Sequence, residues 1–169
     1  MKKSNVQFIT KTAVIAAIYA AVTMILAPIS YGQIQFRISE VLTLFAFIDP
    51  LYIPGLTIGC ALANLGSPLG IIDVLVGTIA TLLALLYITF IRKHFINNIK
   101  SLIIASLGPV IFNGLIVGWE LNYLFQLPYV ITAIYVAIGE FVVVTIGGTI
   151  VFSRLIKNKK LIDKLKILH

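Results

Sequence analysis

Long apolar stretches, each close to the length that crosses a lipid bilayer, dominate the pattern of hydrophobic and polar positions along the chain. A helix needs about 20 mostly apolar residues to cross about 30 Å of hydrocarbon. Four stretches approach that length with few charges, and they lie at about 12–29, 72–91, 101–118 and 129–153. The pattern therefore predicts an all-α, polytopic membrane protein.

Between the first two of these stretches lies a shorter apolar region that prolines interrupt. Asp49-Pro50 is a natural break, because proline lacks the N–H that a helix interior needs and disfavours helix in the residue before it. We predict two short helices here, at about 38–48 and 53–65, and hence six transmembrane helices in all. A re-entrant hairpin, which would remove two crossings together, is the competing interpretation.

Basic residues collect at three places along the chain. Twelve of the 13 Lys and Arg residues lie before the first stretch, after the fourth predicted helix or after the last stretch: Lys2, Lys3, Lys11; Arg92, Lys93, Lys100; Arg154, Lys157, Lys159, Lys160, Lys164 and Lys166. Six crossings put all three segments on one side, and the positive-inside rule makes that side the cytoplasm. We therefore predict a multi-pass protein of the cell (plasma) membrane with cytoplasmic N- and C-termini.

Composition supports this class of protein. The 169 residues are 60% hydrophobic and 11% charged, with a mean hydropathy of +1.07, whereas soluble domains carry about 25% charged residues. A soluble enzyme, a disordered chain and a disulfide scaffold are thus excluded, and 1–169 is expected to form a single membrane domain. The basic tail, 154–169, is typical of an interfacial helix on an anionic leaflet of the bilayer, so its charge requires no nucleic-acid partner.

Polar side chains concentrate on the predicted outer loops, at about 30–37, 66–71 and 119–128, and on the helix ends beneath them. These residues are Gln33, Gln35, Arg37, Glu40, Asn64, Asp73, Asn113 and Glu120. Glu140 lies deeper, about 16 Å below Tyr129 at the rise of an α-helix. A charge at the middle of a membrane helix costs about 2.5–3.5 kcal/mol on insertion scales, so each buried acid requires an explanation.

Helical periodicity brings several of these groups onto common faces. Asn113 and Glu120 share one face of the fifth helix, and Tyr129 and Glu140 share one face of the sixth. Trp119 and Tyr129 stand at the outer end, where aromatic rings stack on flat ligands. We predict an outward pocket with acidic and amide walls and an aromatic lid, suited to a cationic or donor-rich ligand.

Simpler structural roles compete with this interpretation. Arg37 and Glu40 stand at i and i+3, a spacing at which opposite charges neutralise each other. Asp73 would serve only as an N-terminal cap, and Asn64 and Asn113 would form interhelical hydrogen bonds. Trp119 and Tyr129 would belong to the aromatic belt at the membrane interface. Glu140 has no such role, because no cation near it is evident from the sequence.

The first helix carries a stripe of small residues. Ala13, Ala17 and Ala21 recur every four residues, as do Ala16 and Ala20. This spacing flattens a helix face so that another helix packs closely. The partner is either a helix of this chain or a separate membrane subunit.

Motifs for catalysis are absent from the sequence. No glycine is followed by lysine, so there is no P-loop for ATP, and neither H-E-x-x-H nor G-x-S-x-G occurs. We expect no catalytic residue, no metal site and no cofactor. Binding groups without an energy source suggest the substrate-binding part of a transporter.

Several segments resemble a known family. They are LAPISYGQIQFRISEVLTLFAF (Leu26–Phe47), the run Ile53–Ala84 and NGLIVGWEL (Asn113–Leu121). With the alanine-striped first helix and the basic end, the chain resembles the substrate-binding S component of an energy-coupling factor (ECF) transporter, and more narrowly the QueT family of queuosine-precursor transporters. The likeness covers about 10–152, and its most specific part is the Gln-Ile-Gln-Phe-Arg-Ile-Ser-Glu stretch.

The resemblance implies a fold, partners and a substrate. The fold is a six-helix, ECF S-component-like bundle that binds substrate from outside. Ala13 and Ala17, or a shifted pair at Ala16 and Ala20, dock on a transmembrane coupling subunit, and two cytoplasmic ATPases drive toppling of the bundle in the membrane. The implied substrate is a deazaguanine: queuine or its aminomethyl or cyano precursor.

Deazaguanine chemistry suggests roles for the candidate residues. The set comprises Glu140 or Glu120 for the guanine-like N–H edge, Asn113 or Gln33 for the carbonyl, Trp119 or Tyr129 for stacking, and Asp73 or Glu40 for an aminomethyl cation, with Arg37 as a further member.

Two rival functions stay open. One is a stand-alone secondary carrier of a nucleobase-like solute that uses Glu140 as a proton site, and the other is an accessory membrane protein without a ligand.

Overall fold

Helices form almost all of the computed structural model, which describes residues 3–31, 35–95 and 98–167. They are α1 (Lys3–Ile25), α2 (Ala27–Ser30), α3 (Ile38–Ile48), α4 (Ile53–Asn64), α5 (Ile71–His94), α6 (Ile99–Phe125), α7 (Tyr129–Lys157) and α8 (Lys159–Leu165). The described ranges contain no β-strand, so the prediction of an all-α fold is confirmed.

Four of these helices have the length and composition to cross a membrane. They are α1 from Asn5, α5, α6 and α7. By contrast, α4 has 12 residues, and α3 consists of seven residues of 3-10 helix followed by one α-helical turn. At the rise of these helices, α3 and α4 are each about 20 Å long, which is shorter than the hydrocarbon layer.

Local capping explains where several helices begin and end. The Asp49 carboxylate accepts a hydrogen bond from the Leu51 N–H at 3.0 Å and starts a 3-10 turn that leads into α4. Asn98 and Ser101 form a capping box at the start of α6. This helix ends at Phe125, and the residue after it, Gln126, adopts the left-handed conformation with φ 55°.

The prediction that an outer loop covers about 119–128 is wrong for its first seven residues. The helix α6 continues to Phe125 instead of ending near 118. The reason is that Glu120 and Leu121 extend the buried face of this helix despite the low hydropathy of the segment.

Small residues let neighbouring helices approach closely. A Cβ atom at Gly59 of α4 would lie 2.9 Å from the Ala16 carbonyl oxygen of α1. A Cβ atom at Gly118 of α6 would lie 2.6 Å from the Ala133 Cα of α7. Contacts this short exclude a side chain, so these glycines are needed for the packing of α1 on α4 and of α6 on α7.

The C-terminal tail folds back onto the bundle. The Ile167 N–H donates to the Asp49 carboxylate at 2.8 Å, the Tyr52 hydroxyl donates to the Leu165 carbonyl at 2.6 Å, and the Lys11 ammonium donates to the Lys164 carbonyl at 3.1 Å. These three hydrogen bonds join the first half of α1, the turn between α3 and α4, and the tail at one end of the bundle. We call the residues that form them the tail contact: Lys11, Asp49, Tyr52, Lys164, Leu165 and Ile167.

The last long helix changes its winding in the middle. Residues Phe141–Gly148 of α7 form a π-helical segment that begins immediately after Glu140. Such segments are rare and recur at functional sites. Within this one, the Thr145 hydroxyl lies 3.2 Å from the Ser106 hydroxyl of α6. The altered winding therefore occurs where α7 is tied to α6 by polar contacts.

Candidate functional site

Eight polar side chains are buried together in the half of the bundle opposite to the tail contact. We call them the polar cluster: Gln35, Arg37, Glu40, Asn64, Asp73, Asn113, Glu120 and Glu140. None is more than 2% exposed. The cluster holds four of the six acidic residues of the chain, and Arg37 is the one buried cation among the described residues.

Arg37 is the electrostatic centre of this cluster. It lies near enough to Glu40, Asp73, Glu120 and Glu140 to attract all four. It forms no ion pair with any of them, however, and its Nε and Nη2 atoms have no hydrogen-bond partner in the described part of the chain. Arg37 and Glu40 thus attract each other, as their spacing suggested, but without a direct ion pair.

Glu40, in the first turn of α3, is held on one side by neighbouring helices. Its Oε1 accepts a hydrogen bond from the Tyr19 hydroxyl of α1 and another from the Thr81 hydroxyl of α5, at 3.2 Å in the latter case. The Cys60 thiol lies 3.2 Å from the same Thr81 hydroxyl. The second carboxylate oxygen of Glu40, Oε2, has no partner among the described residues.

Glu140 is held in a similar way from the other side of the cluster. Its Oε1 accepts a hydrogen bond from the Asn113 amide of α6 at 2.8 Å, and its Oε2 has no partner within the described ranges. Asn113 also lies close to Glu40. The Asn113 amide thus makes the expected interhelical hydrogen bond, and it does so to a carboxylate of the cluster.

Asp73 and Asn64 meet where α4 and α5 cross. The Asn64 amide donates to the Asp73 backbone carbonyl at 2.9 Å. Gly77 makes room for both, since a Cβ there would lie 2.5 Å from the Asn64 amide nitrogen and 2.9 Å from an Asp73 carboxylate oxygen. Asp73 does not cap α5, because neither of its carboxylate oxygens receives a hydrogen bond from the described residues.

Unpartnered atoms define what the cluster offers chemically. Acceptors are the more numerous: Glu40 Oε2, both oxygens of Asp73, both of Glu120, Glu140 Oε2, Asn64 Oδ1 and Asn113 Oδ1. The donors are Arg37 Nε and Nη2 and Gln35 Nε2. An unsatisfied buried polar atom costs about 1–3 kcal/mol, and more when it is charged. Groups of this kind satisfy a ligand that is rich in N–H donors and carries at least one carbonyl.

The predicted aromatic lid lies outside this cluster. Trp119 is 50% exposed and stacks on Tyr123 with 5.7 Å between ring centroids, and Tyr129 is also exposed. Trp119 lies one residue from Glu120, which turns it about 100° around α6 and away from the buried face. The half-buried Tyr31 ring is closer to the acids, with the Arg37 guanidinium 5.7 Å from its centroid.

The remaining candidates from the sequence separate into distinct environments. Gln33 lies outside the described residues. Ala13 and Ala17 are exposed on α1, whereas Ala16 and Ala20 are buried, with Ala16 against Gly59 of α4. The two alanine pairs thus face opposite environments, and only the first is accessible to another protein.

Three residues that contact the cluster were not predictable from the sequence: Tyr19, Thr81 and Tyr31. A tyrosine and a threonine within apolar helices are common, and nothing in their spacing distinguishes Tyr19 and Thr81. Tyr31 falls inside the stretch that carries the family resemblance, which is the one indication that the sequence offers. The partners of all three lie on other helices or loops.

Two surface grooves are a different kind of feature. One lies between α1, α3 and α7 and the other between α6 and α7, and apolar side chains line almost all of both. Neither groove includes a member of the polar cluster. Both grooves have the character of membrane-facing surfaces. Because they offer almost no hydrogen-bonding groups, we take the polar cluster as the candidate site.

Comparisons with known proteins find similarity to transporters of one family. The family model described as QueT transporter matches residues 9–157. A protein named Queuosine precursor transporter QueT, from Lactococcus lactis subsp. cremoris (strain MG1363), is 37% identical over 160 residues, which cover 89% of this chain and 93% of that protein. No solved structure matches the chain.

Proposed function

Because the chain belongs to the QueT transporter family, we propose that it is the substrate-specific binding subunit of an importer for queuosine precursors. The single observation that carries this proposal is the polar cluster, where buried acids and one arginine retain unpartnered atoms. A deazaguanine presents N–H and amino donors on one edge and a carbonyl beside them, which matches the acceptors and donors of the cluster.

The cluster favours a ligand that carries a positive charge. Four carboxyl groups surround one guanidinium, so a neutral ligand leaves the acids in excess. An aminomethyl group on a deazaguanine is a cation that reduces this imbalance and donates hydrogen bonds. We therefore propose the aminomethyl precursor as the preferred ligand over the cyano precursor.

Residue roles follow from which atoms remain unpartnered. We assign the guanine-like edge to Glu140 and Glu120, the carbonyl to Arg37 or Gln35, and the aminomethyl cation to Asp73 or Glu40. Asn113 orients Glu140 through one amide N–H, and its Oδ1 remains an unpartnered acceptor of the cluster. Tyr31 is the aromatic neighbour of the cluster and replaces Trp119 and Tyr129 as the stacking candidate.

We further propose six crossings and an energy-coupling factor type of mechanism. The tail contact supports six crossings, because the turn at Asp49 reaches the same end of the bundle as the basic tail. The exposed Ala13 and Ala17 face supports docking on a transmembrane coupling subunit, with ATP hydrolysis by two cytoplasmic partners. With the basic segments inside, both termini are cytoplasmic in the plasma membrane.

Titration of the purified chain in detergent tests the binding role. Calorimetry with queuine, both precursors, guanine and unrelated vitamins is expected to show submicromolar affinity, about −8 kcal/mol or tighter, for a deazaguanine alone. The absence of binding to every compound, in a sample that unfolds cooperatively on heating, would reject the proposal and favour an accessory protein without a ligand.

A substitution on α1 tests the docking role separately. Ala17→Trp places a large ring on the exposed face and should abolish uptake in cells while leaving the affinity of the isolated chain within about 2-fold. The matched variant Ala16→Trp fills a buried position against Gly59 and should impair folding itself. Normal uptake by Ala17→Trp would contradict docking on this face.

Reconstitution of the chain alone in liposomes distinguishes the importer subunit from a secondary carrier. A binding subunit that depends on ATPase partners transports nothing by itself. Uptake by the chain alone that an uncoupler abolishes would instead establish a proton-driven carrier, with Glu140 as the residue to test first.

A further inference from the structure

The Glu40 carboxylate has one oxygen fixed by the protein and one oxygen without a partner. Oε1 receives the Tyr19 hydroxyl from α1 and the Thr81 hydroxyl from α5. Oε2 is buried and has no partner among the described residues. A carboxylate held by two donors on one oxygen has a fixed orientation, so the direction of its second oxygen is also fixed.

Both donors are themselves fixed by their surroundings. Tyr19 and Thr81 are completely buried, and Tyr19 packs against the close approach of α1 and α4 at Gly59, where a Cβ would lie 2.9 Å from the Tyr19 Cβ. The Cys60 thiol contacts the Thr81 hydroxyl at 3.2 Å. Neither hydroxyl belongs to the set that offers unpartnered atoms to a ligand.

We propose that Tyr19 and Thr81 are positioning residues that orient the Glu40 carboxylate and so present its Oε2 atom to a donor group of the substrate. The proposal rests on the function proposed above, and it makes α1 part of the substrate site through Tyr19. It also predicts that removal of either hydroxyl weakens binding through Glu40 alone.

The main test compares two tyrosines that each lose one hydrogen-bonded hydroxyl. Tyr19→Phe should weaken calorimetric binding of the aminomethyl deazaguanine by about 10-fold, in line with the loss of a hydrogen bond to a charged group. Tyr52→Phe loses the hydrogen bond to the Leu165 carbonyl in the tail contact and should bind within about 2-fold of the unmodified chain. Unchanged affinity in Tyr19→Phe would overturn the proposal.

A double-mutant cycle separates positioning from general structural support. Glu40→Gln replaces the carboxylate with an amide that also donates, so the ligand no longer benefits from the fixed orientation. In that background Tyr19→Phe should change the affinity by less than about 2-fold. An equal loss in both backgrounds would mean that Tyr19 merely supports the fold, and the inference would be wrong.

Substitutions at Thr81, the second donor, give an independent test. This test does not require that the Glu40→Gln variant binds the ligand measurably. Thr81→Val keeps the shape of the side chain and removes the hydroxyl, whereas Thr81→Ser retains it. Thr81→Val should weaken binding several-fold, whereas Thr81→Ser should bind about as tightly as the unmodified chain. Equal affinities of the two variants would overturn the role of Thr81. Since the unmodified chain is titrated alongside, a failure of the proposed function appears as no binding by that chain and is distinct from these outcomes.

Discussion

The polar cluster and the tail contact both bury carboxylates, yet the surroundings of these carboxylates differ. In the tail contact, Asp49 uses both oxygens: one accepts from the Leu51 N–H at 3.0 Å and the other from the Ile167 N–H at 2.8 Å. In the polar cluster, Asp73 and Glu120 have no hydrogen-bond partner for either oxygen within the described ranges.

This difference indicates which end of the bundle is complete without a ligand. A buried carboxylate with satisfied oxygens stabilises the fold by joining two segments, as Asp49 joins the α3–α4 turn to the tail. Unsatisfied carboxylates cost free energy, and a fold retains them where binding of another molecule recovers that cost. We therefore assign a structural role to the tail contact and a recognition role to the polar cluster.

The largest effect is expected from the deepest acid. Glu140→Gln preserves the shape and replaces one acceptor oxygen with a donating amide nitrogen, and a buried polar group left unsatisfied costs about 1–3 kcal/mol. We expect deazaguanine affinity to fall by about 10- to 100-fold in calorimetric titration, with little change in the thermal unfolding midpoint of the ligand-free chain. Unchanged affinity would mean that Glu140 does not contact the ligand. It would contradict the recognition role assigned to the polar cluster.

An intermediate and selective effect is expected at the α4–α5 crossing. Asp73→Asn should weaken binding of the aminomethyl precursor by about 10-fold and of the neutral cyano precursor by less than about 3-fold, because only the former carries a cation. Parallel titrations of the two compounds measure this selectivity. An equal loss for both would show that Asp73 recognises the shared ring, and Glu40 would then be the partner of the cation.

A steric change beside Asp73 provides a smaller effect on binding. Gly77→Ala places a methyl group within 2.9 Å of both the Asn64 amide nitrogen and an Asp73 carboxylate oxygen, so both side chains must shift. We expect affinity for the aminomethyl precursor to fall several-fold. Gly66→Ala is the control, since its Cβ meets nothing closer than 3.4 Å, and equal behaviour of the two variants would contradict the tight packing around Asp73.

The smallest effect on binding is expected in the tail contact. Asp49→Asn replaces one acceptor oxygen with an N–H donor, so either the Leu51 or the Ile167 N–H loses its acceptor. This should lower the free energy of unfolding by about 1–3 kcal/mol, measured as a lower thermal midpoint in detergent. Deazaguanine affinity should stay within about 2-fold. A loss of affinity comparable to that of Glu140→Gln would show that the two ends are not functionally separate.

The helix boundaries near the prolines were predictable because their causes are local. The structure has a helix at Ile38–Ile48 and another at Ile53–Asn64, close to the predicted ranges. The break between them depends on Pro50, which removes a backbone donor, and on Asp49, which caps the following turn. The end of α6 was not predictable in this way, because burial of Glu120 by other helices extends it through a polar stretch.

The burial of the acids of the polar cluster was also predictable, because a carboxylate in an apolar helix has a cost that the sequence itself reveals. The alanine stripe illustrates the opposite case. Ala13 and Ala17 have the same spacing as Ala16 and Ala20, and only the packing of α1 on α4 decides which pair is exposed.

The sequence by itself determined the family, the apolar helical class and the buried acids, since each depends on residue type and spacing along one helix. The tertiary structure decided which atoms are satisfied. Tyr19 and Thr81 lie 21 and 41 residues from Glu40 in the chain, and they meet it only because three helices pack together. Hydrogen bonding between distant segments is thus what separates the carboxylate oxygens that hold this fold together from those that have no partner in the described part of the chain.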